Sequence, residues 1–349
     1  MNNQLARALA LGGALAALTT QNALAEDTDA QDLARAGQDS AGFSWEGEIE
    51  IGYESVFDSN VPGNETDTAY GRGEFNAAYS FGNGVAVFGG LTFEEVQDAL
   101  GATGYGFYVH ELGVELGFAN TTFRLGKVHP AFGTAWDEAA GFYGGTLAED
   151  YELAEQIGVL ADVDLGDAGV LSFGTFFADN TALSQSAGFN RGRNTTASGG
   201  AGNTGNLDNL SLQWANEFGN TRVWAGARYL SAGVGDVSDE TGGFLALGHT
   251  FGESFGLFAE VAAFDGYRGT TDNATYATLN GVYYIGNWSL SGTYARRDIT
   301  SAGVTDLVSV AAEYEFRNGI TLGGALAHVD DAGTRDKLFG FNVVIPLGG

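Results

Sequence analysis

Three groups of residues in this chain carry side chains that could do chemistry. The first is Glu46, Glu48 and Glu50 in the run FSWEGEIEIGYE. Paired carboxylates act as acid and base when two of them converge on a bond, about 5 to 9.5 Å apart. Alternate positions on one extended strand stand side by side at ~7 Å and point the same way, so this series makes an acidic stripe and not a converging pair. The second group lies in LGKVHPAFGTAWDEAAGFYGGTLAEDYELAE, residues 125–155, which holds Asp137, Glu138, Glu149, Asp150, Glu152 and Glu155. Calcium is the ion such acids would take, but the D-x-D-x-D-G spacing of a calcium loop is missing. No ligands are therefore assigned to it, and no other cofactor is expected. The third group is His110, His129, His249 and His328, scattered without the H-x-x-x-H spacing of a zinc site.

Nucleophilic chemistry has less to stand on. The chain has no cysteine, so thiol chemistry and disulfides are both excluded. Nothing around Ser172, Ser211 or Ser289 resembles a nucleophile elbow. The adjacent His110 and Glu111 would point to opposite faces of a strand. Gly82 to Gly90 has neither a lysine nor a following helix, so it cannot cradle a phosphate. No catalytic residue is assigned, and an enzyme is not expected.

The elements that must position these residues are written in the alternation of side chains. In FSWEGEIEIGYE, Phe43, Trp45, Gly47, Ile49, Ile51 and Tyr53 share one face while the acids share the other. The same pattern recurs in Phe75–Phe81, Val85–Phe93, Leu112–Phe118, Ile157–Leu165, Leu210–Phe218, Trp288–Tyr294, Val308–Phe316 and Phe339–Ile345. These lengths match the ~9 to 11 residues that a tilted membrane strand needs. Turn residues separate them in two classes. Short connections such as Gly82-Asn83-Gly84, Gly219-Asn220 and Gly286-Asn287 suit tight hairpins. Long ones fall near 55–69, 95–105, 129–152, 179–206, 233–242, 265–274, 298–306 and 328–336. Seven tight turns and eight long loops divide the chain into about sixteen strands. Aromatics such as Trp45, Phe81, Phe118, Phe218 and Trp288 sit beside the short turns, where an interfacial girdle would lie. The expected fold is all-β, a transmembrane antiparallel β-barrel spanning residues 43–349.

Charge and the N-terminus narrow the setting. Residues 1–25 read as a cleaved export leader, with Arg7, an apolar run from Ala8 to Leu18 and the small-x-small end Ala23-Leu24-Ala25. Residues 26–42 read as a short polar, mobile lead on the periplasmic side, with at most a helical turn or two around Gln31 to Arg35. Net charge is −29 for the whole chain, one unit more negative without Arg7. A surface this acidic has no means of neutralising phosphates, so nucleic acid is excluded as a partner. It would draw cations toward any acidic channel.

Within a barrel, residues 125–155 stand apart. Phe132, Trp136, Phe142, Tyr143, Leu147 and Tyr151 need burial, while the acids among them need water or a partner. The water-filled lumen meets both demands, so this third long loop, about 129–152, is expected to fold inward as a constriction through Trp136, Asp137, Glu138, Phe142, Tyr143, Glu149 and Asp150. By parity Glu46, Glu48, Glu50, Arg72, Glu74, Arg124, Arg222, Arg228 and Arg297 line the wall, since an arginine facing lipid would cost about 2–4 kcal/mol at the midplane. The fourth loop, with Arg191, Arg193 and the lone aromatic Phe189, reads as a polar segment hanging in water.

The stretch Leu125 to Leu153 and the barrel pattern around it resemble the general porins of Gram-negative bacteria, and most closely porins of alphaproteobacteria. The resemblance implies an outer-membrane barrel embedded in lipid, a homotrimer, and a third loop that narrows the lumen. The chain ends FNVVIPLGG, without the family's usual terminal aromatic. The function expected on this basis is passive diffusion of small hydrophilic solutes and ions with a mild cation preference. Two other readings stand beside it. One is a substrate-specific channel, for example for sugars, with Trp136, Phe142 and Tyr143 as a stacking slide; the other is a hydrolase set in an outer-membrane barrel.

Overall fold

The computed structural model describes residues 30–36, 41–98 and 100–348. The expected leader and much of the lead that follows it lie outside these residues. Sixteen antiparallel strands make the wall: β1 (Ala41–Ser59), β2 (Thr66–Phe81), β3 (Val85–Gln97), β4 (Thr103–Phe118), β5 (Thr121–Val128), β6 (Gln156–Asp164), β7 (Val170–Ala178), β8 (Asn209–Phe218), β9 (Thr221–Leu230), β10 (Glu240–Phe251), β11 (Phe255–Asp265), β12 (Ala274–Ile285), β13 (Trp288–Ile299), β14 (Gly303–Glu315), β15 (Thr321–Asp331) and β16 (Thr334–Gly348). Each pairs with its neighbours in sequence. The last closes on the first, with Tyr53 opposite Phe341 and Ile49 opposite Ile345. The closing strand therefore runs to Gly348 without a terminal aromatic.

Parity explains why this wall stands in a membrane. Phe43, Trp45, Ile51, Phe75, Val87, Leu112, Leu210, Leu290, Val310 and Phe341 are exposed on the outside, while Glu50, Asn76, Arg124, Arg228, Glu260 and Asn280 are buried on the inside. An apolar belt around a polar interior is the pattern of an outer-membrane barrel, and sixteen strands enclose enough space for an aqueous channel. The aromatics expected at the short-turn rim, including Trp45, Phe81, Phe118, Phe218, Phe251, Trp288 and Phe316, are exposed there. Near the other rim, tyrosine hydroxyls reach aspartates, with Tyr53 donating to Asp67 at 2.7 Å and Tyr229 to Asp239 at 2.8 Å.

Four expectations need correction. The last two long loops shrink to Thr300–Ala302 and to Ala332-Gly333, because the strands flanking them pair almost to their tips. His110 and Glu111 do not face opposite ways. The β3–β4 register slips between Gly90 and Leu91, so His110 is the extra residue of a β-bulge and both side chains are buried inside. The fourth loop does not hang in water, as described below. The polar lead does not lie free: the helical turns expected near Gln31 to Arg35 form α1, Ala30–Ala36, and it packs on the inner wall.

Candidate functional site

The third loop is residues 129–155, between β5 and β6, and it crosses the lumen. Its two flanks, on either side of the tip, land on β9 to β12. Phe132, Ala135, Ala139, Ala148 and Tyr151 form one apolar cluster with Trp224, Phe244, Phe258, Phe264 and Tyr276. Its tip reaches farther round the barrel, where Phe142, Tyr143 and Leu147 cluster with Val56, Leu307, Ala327, Val329 and Leu338. The tip can seat closely because small wall residues make room: a Cβ on Gly340 would come within 2.5 Å of the Phe142 ring. The acidic loop is thus buried in the way its aromatics demand.

Polar contacts pin the same path. Glu260 accepts hydrogen bonds from the Thr134 backbone amide at 2.8 Å, from the Thr134 hydroxyl at 3.1 Å and from the Tyr151 hydroxyl. Asn280 holds Ala140 from both sides, accepting from its amide at 3.2 Å and donating to its carbonyl at 2.8 Å. Arg228 donates to the Tyr151 carbonyl at 2.6 Å and pairs with Glu240 at 2.6 Å, with its guanidinium against the Phe132 and Phe264 rings. A buried guanidinium so placed satisfies its donors and its charge together.

The loop acids meet the wall arginines directly. Arg222 grips both carboxylate oxygens of Glu138 at 2.6 Å. Asp150 lies between Arg297 at 2.6 Å and Arg268 at 2.9 Å, and also accepts from the Tyr276 hydroxyl at 3.1 Å. Sequence parity places both sets of charges in the lumen, yet pairing at this range leaves much less open field between them than two facing banks of charge would. Glu149 is a different case. Crowding by loop and wall atoms, reinforced by Glu152 and Asp150 and opposed by Arg72, pushes its pKa up to about 8. Near neutral pH it is largely an uncharged acid.

The remaining wall residues form ion-pair chains on the other side. Arg72 donates to Glu74 at 2.9 Å and lies 3.7 Å from Glu94. Arg124 bridges Glu115 at 3.0 Å and Asp162 at 2.6 Å. Glu50 is buried and accepts from Tyr70 and from Asn342, each at 2.8 Å. Glu46 and Glu48 are half-buried on the same inner face of β1. Phe142 and Tyr143 turn their rings to the wall, at 4% and 0% exposure, so of the expected stacking slide only Trp136 keeps any lumen surface. Among the described residues no cluster of His, Asp and Glu is placed to hold a metal ion.

The fourth loop, 179–208, settles onto this assembly. Arg191 donates to Glu155 at 2.9 Å and lies 3.9 Å over the Tyr108 ring. Lys127 is fully buried between Glu155 at 2.6 Å and Asp179 at 2.8 Å, and its ammonium also reaches the Leu183 carbonyl. Ala187-Gly188 pairs with Phe107 and Gly106, covering the edge of β4 that β5 leaves open. Sequence reasoning missed Glu260, Glu240, Asn280, Lys127 and Glu155 as anchors. The signal available for Glu260 and Asn280 is parity, since each is a polar residue on the inner face of a strand.

No protein-family model matches the chain, and no curated protein matches it. Solved structures do. Pseudomonas putida OprB, in its high-pH structure, aligns with a TM-score of 0.64 at 10% identity, covering 91% of this chain and 96% of its own. A mutant of Rh. blastica porin aligns with a TM-score of 0.59 at 15% identity over 88% of this chain and 100% of its own. The outer membrane channel DcaP of Acinetobacter baumannii gives 0.59 at 12% identity over 88% and 98%. At such identities the likeness is one of fold: this chain has the porin-like barrel. The match is spread over barrels from different bacteria and singles out no one group of them.

Proposed function

We propose that the protein is a substrate-selective outer-membrane channel for small hydrophilic solutes, sugars among them, and not a wide general-diffusion pore. The seat of the third loop carries this reading. Apolar anchors at two separate places and five sets of polar contacts hold it across the lumen, and the fourth loop and α1 take further space. Width and hydrogen-bonding pattern then decide what passes. Closely paired arginines and carboxylates offer donors and acceptors side by side, which suits hydroxyl-rich neutral solutes that must exchange water for other partners. The acidic stripe Glu46, Glu48 and Glu50 adds a mild preference for cations, which salt screens over ~8 Å at physiological strength.

A homotrimer in outer-membrane lipid fits the same reading. The outer face of β1 to β3 becomes small-featured at Gly47, Gly71, Gly73 and Gly89, and it holds a 360 Å³ notch bounded by Phe43, Trp45, Phe75 and Leu91. Such a face suits a second copy of the barrel.

Planar-bilayer recording tests the channel reading. Discrete conductance steps, reduced by one sugar at concentrations where others have no effect, are expected. Absence of steps would remove the channel reading. Steps indifferent to every solute offered, with liposome swelling that falls smoothly with solute mass, would return the barrel to a general pore.

A further inference from the structure

Outside the seat of the third loop the inner wall of a water-filled barrel has little reason to be apolar, yet at one further place it is. Ala78 of β2, Ala86 and Phe88 of β3, Val128 of β5 and Leu160 of β6 point inward and are 0–6% exposed. Phe88 lies flat over the wall at Gly113, where a Cβ would come within 2.5 Å of its ring. What covers this patch is α1. Ala30 and Ala34 are fully buried against it, Leu33 packs beside them, and Arg35 points away into the open. Positions 30, 33 and 34 fall on one helical face, and two alanines let that face approach closely. The helix is tied to the short-turn rim, because β1 begins at Ala41, opposite Phe81 and next to the turn at Gly82.

We infer that the inner face of β1 to β4, centred on β2 and β3, is a docking cradle for α1, and that the docked helix narrows the lumen at its periplasmic mouth. This rests on the channel reading above for its consequence, although the docking itself does not. The third loop closes the lumen from the β9–β16 side. The helix takes the β1–β4 side, where the loop tip touches the wall only toward the other rim, at Val56 of β1 and Tyr70 of β2, among the described residues. Two segments from opposite ends of the barrel thus define one passage, and the segment ahead of β1 is a determinant of permeation as well as a lead into the fold.

The chain has no cysteine of its own, so a disulfide can report the docking cleanly. The full chain carrying Ala34→Cys with Ala78→Cys, and a second carrying Ala34→Cys with Ala86→Cys, is refolded and oxidised. At least one pair is expected to cross-link. In planar bilayers, Leu33→Asp and deletion of residues 30–36 are expected to raise single-channel conductance, while the oxidised pair stays at the wild-type level. Failure of both pairs to cross-link would overturn the docking. Cross-linking together with wild-type conductance in both Leu33→Asp and the deletion would overturn the narrowing role. If no form conducts, the channel reading and the narrowing role fail together, and the cross-link alone still decides whether the cradle is real.

Discussion

The third and fourth loops leave the same rim and both come to rest on the barrel, but different forces hold them. The third is anchored by buried rings and by full charges: Phe132, Tyr151 and Phe142 fill gaps in the wall, and Arg222 and Arg228 of β9 and Arg297 of β13 reach it from two strands. The fourth is tied by charge at two points, Arg191 to Glu155 and Asp179 to Lys127, and otherwise by its own backbone and by amides. Asn203 donates to the Asn194 side chain, the Thr195 carbonyl and the Gly199 carbonyl, and Asn209 donates to the Phe176 and Gly202 carbonyls. Phe189 lies against Gly104, with its amide on the Tyr105 carbonyl. A loop pinned by charges and rings stays put as a unit, whereas one held by local hydrogen bonds is worth about 1 kcal/mol per contact and loosens piece by piece.

The sharpest way to break the contrast is at Arg228. It and Glu240 are 6% and 1% exposed, so Arg228→Ala leaves the buried Glu240 carboxylate without its countercharge, held only by the Arg268 backbone amide, and frees the Tyr151 carbonyl. A loss of about 3–5 kcal/mol is expected, read as a lower temperature for the heat-dependent shift in gel mobility. The double change Arg228→Met with Glu240→Leu should recover much of it.

Next in size is the charge set on the third loop. Replacing Asp137, Glu138, Glu149 and Asp150 by Asn or Gln leaves the barrel folded but takes from Arg222, Arg268 and Arg297 their nearest carboxylates, Arg297 keeping only Asp331 at 3.6 Å. The cation preference, measured as a reversal potential in a salt gradient, should fall and can cross to anions. Asp150→Asn alone should give the largest single share, because it releases two arginines.

Glu149 gives a pH test with a defined sign. Its pKa is raised to about 8 in the folded loop, chiefly by burial. The folded loop therefore keeps its proton while an undocked loop loses it from the ordinary carboxylate range upward. Docking is strongest below that range, weakens as pH rises, and has lost this contribution once pH passes about 8. Protection of the loop from protease should decline across that window in the wild type and stay level in Glu149→Gln. The smallest effect is expected from Asn203→Ala, roughly 1–2 kcal/mol, visible as faster amide exchange within 184–206 and little change in conductance.

How much of this was legible in the sequence follows the same division. Period-2 alternation marks the wall because every second residue of a membrane strand faces lipid, and rings without space on that wall mark the third loop as buried. The inward parity of Arg222, Arg228 and Arg297 agrees with their contacts. The order of the fourth loop is hidden because asparagines bonding to carbonyls look the same in a sequence as asparagines in water. The inward turn of His110 is hidden because a single extra residue in β4 reverses the parity on which the expectation rests. The docking of α1 is hidden because AQDLARA is short and carries only one large apolar side chain, Leu33.

Everything here turns on how much of the barrel the third loop and α1 leave open. Polymer exclusion on single channels measures that directly, with polyethylene glycols of rising mass added while the current is recorded. The expected result is a cut-off already reached by small polymers, and one that moves upward when residues 30–36 are deleted. Free entry of large polymers into the intact chain, with no change on deletion, would contradict the account.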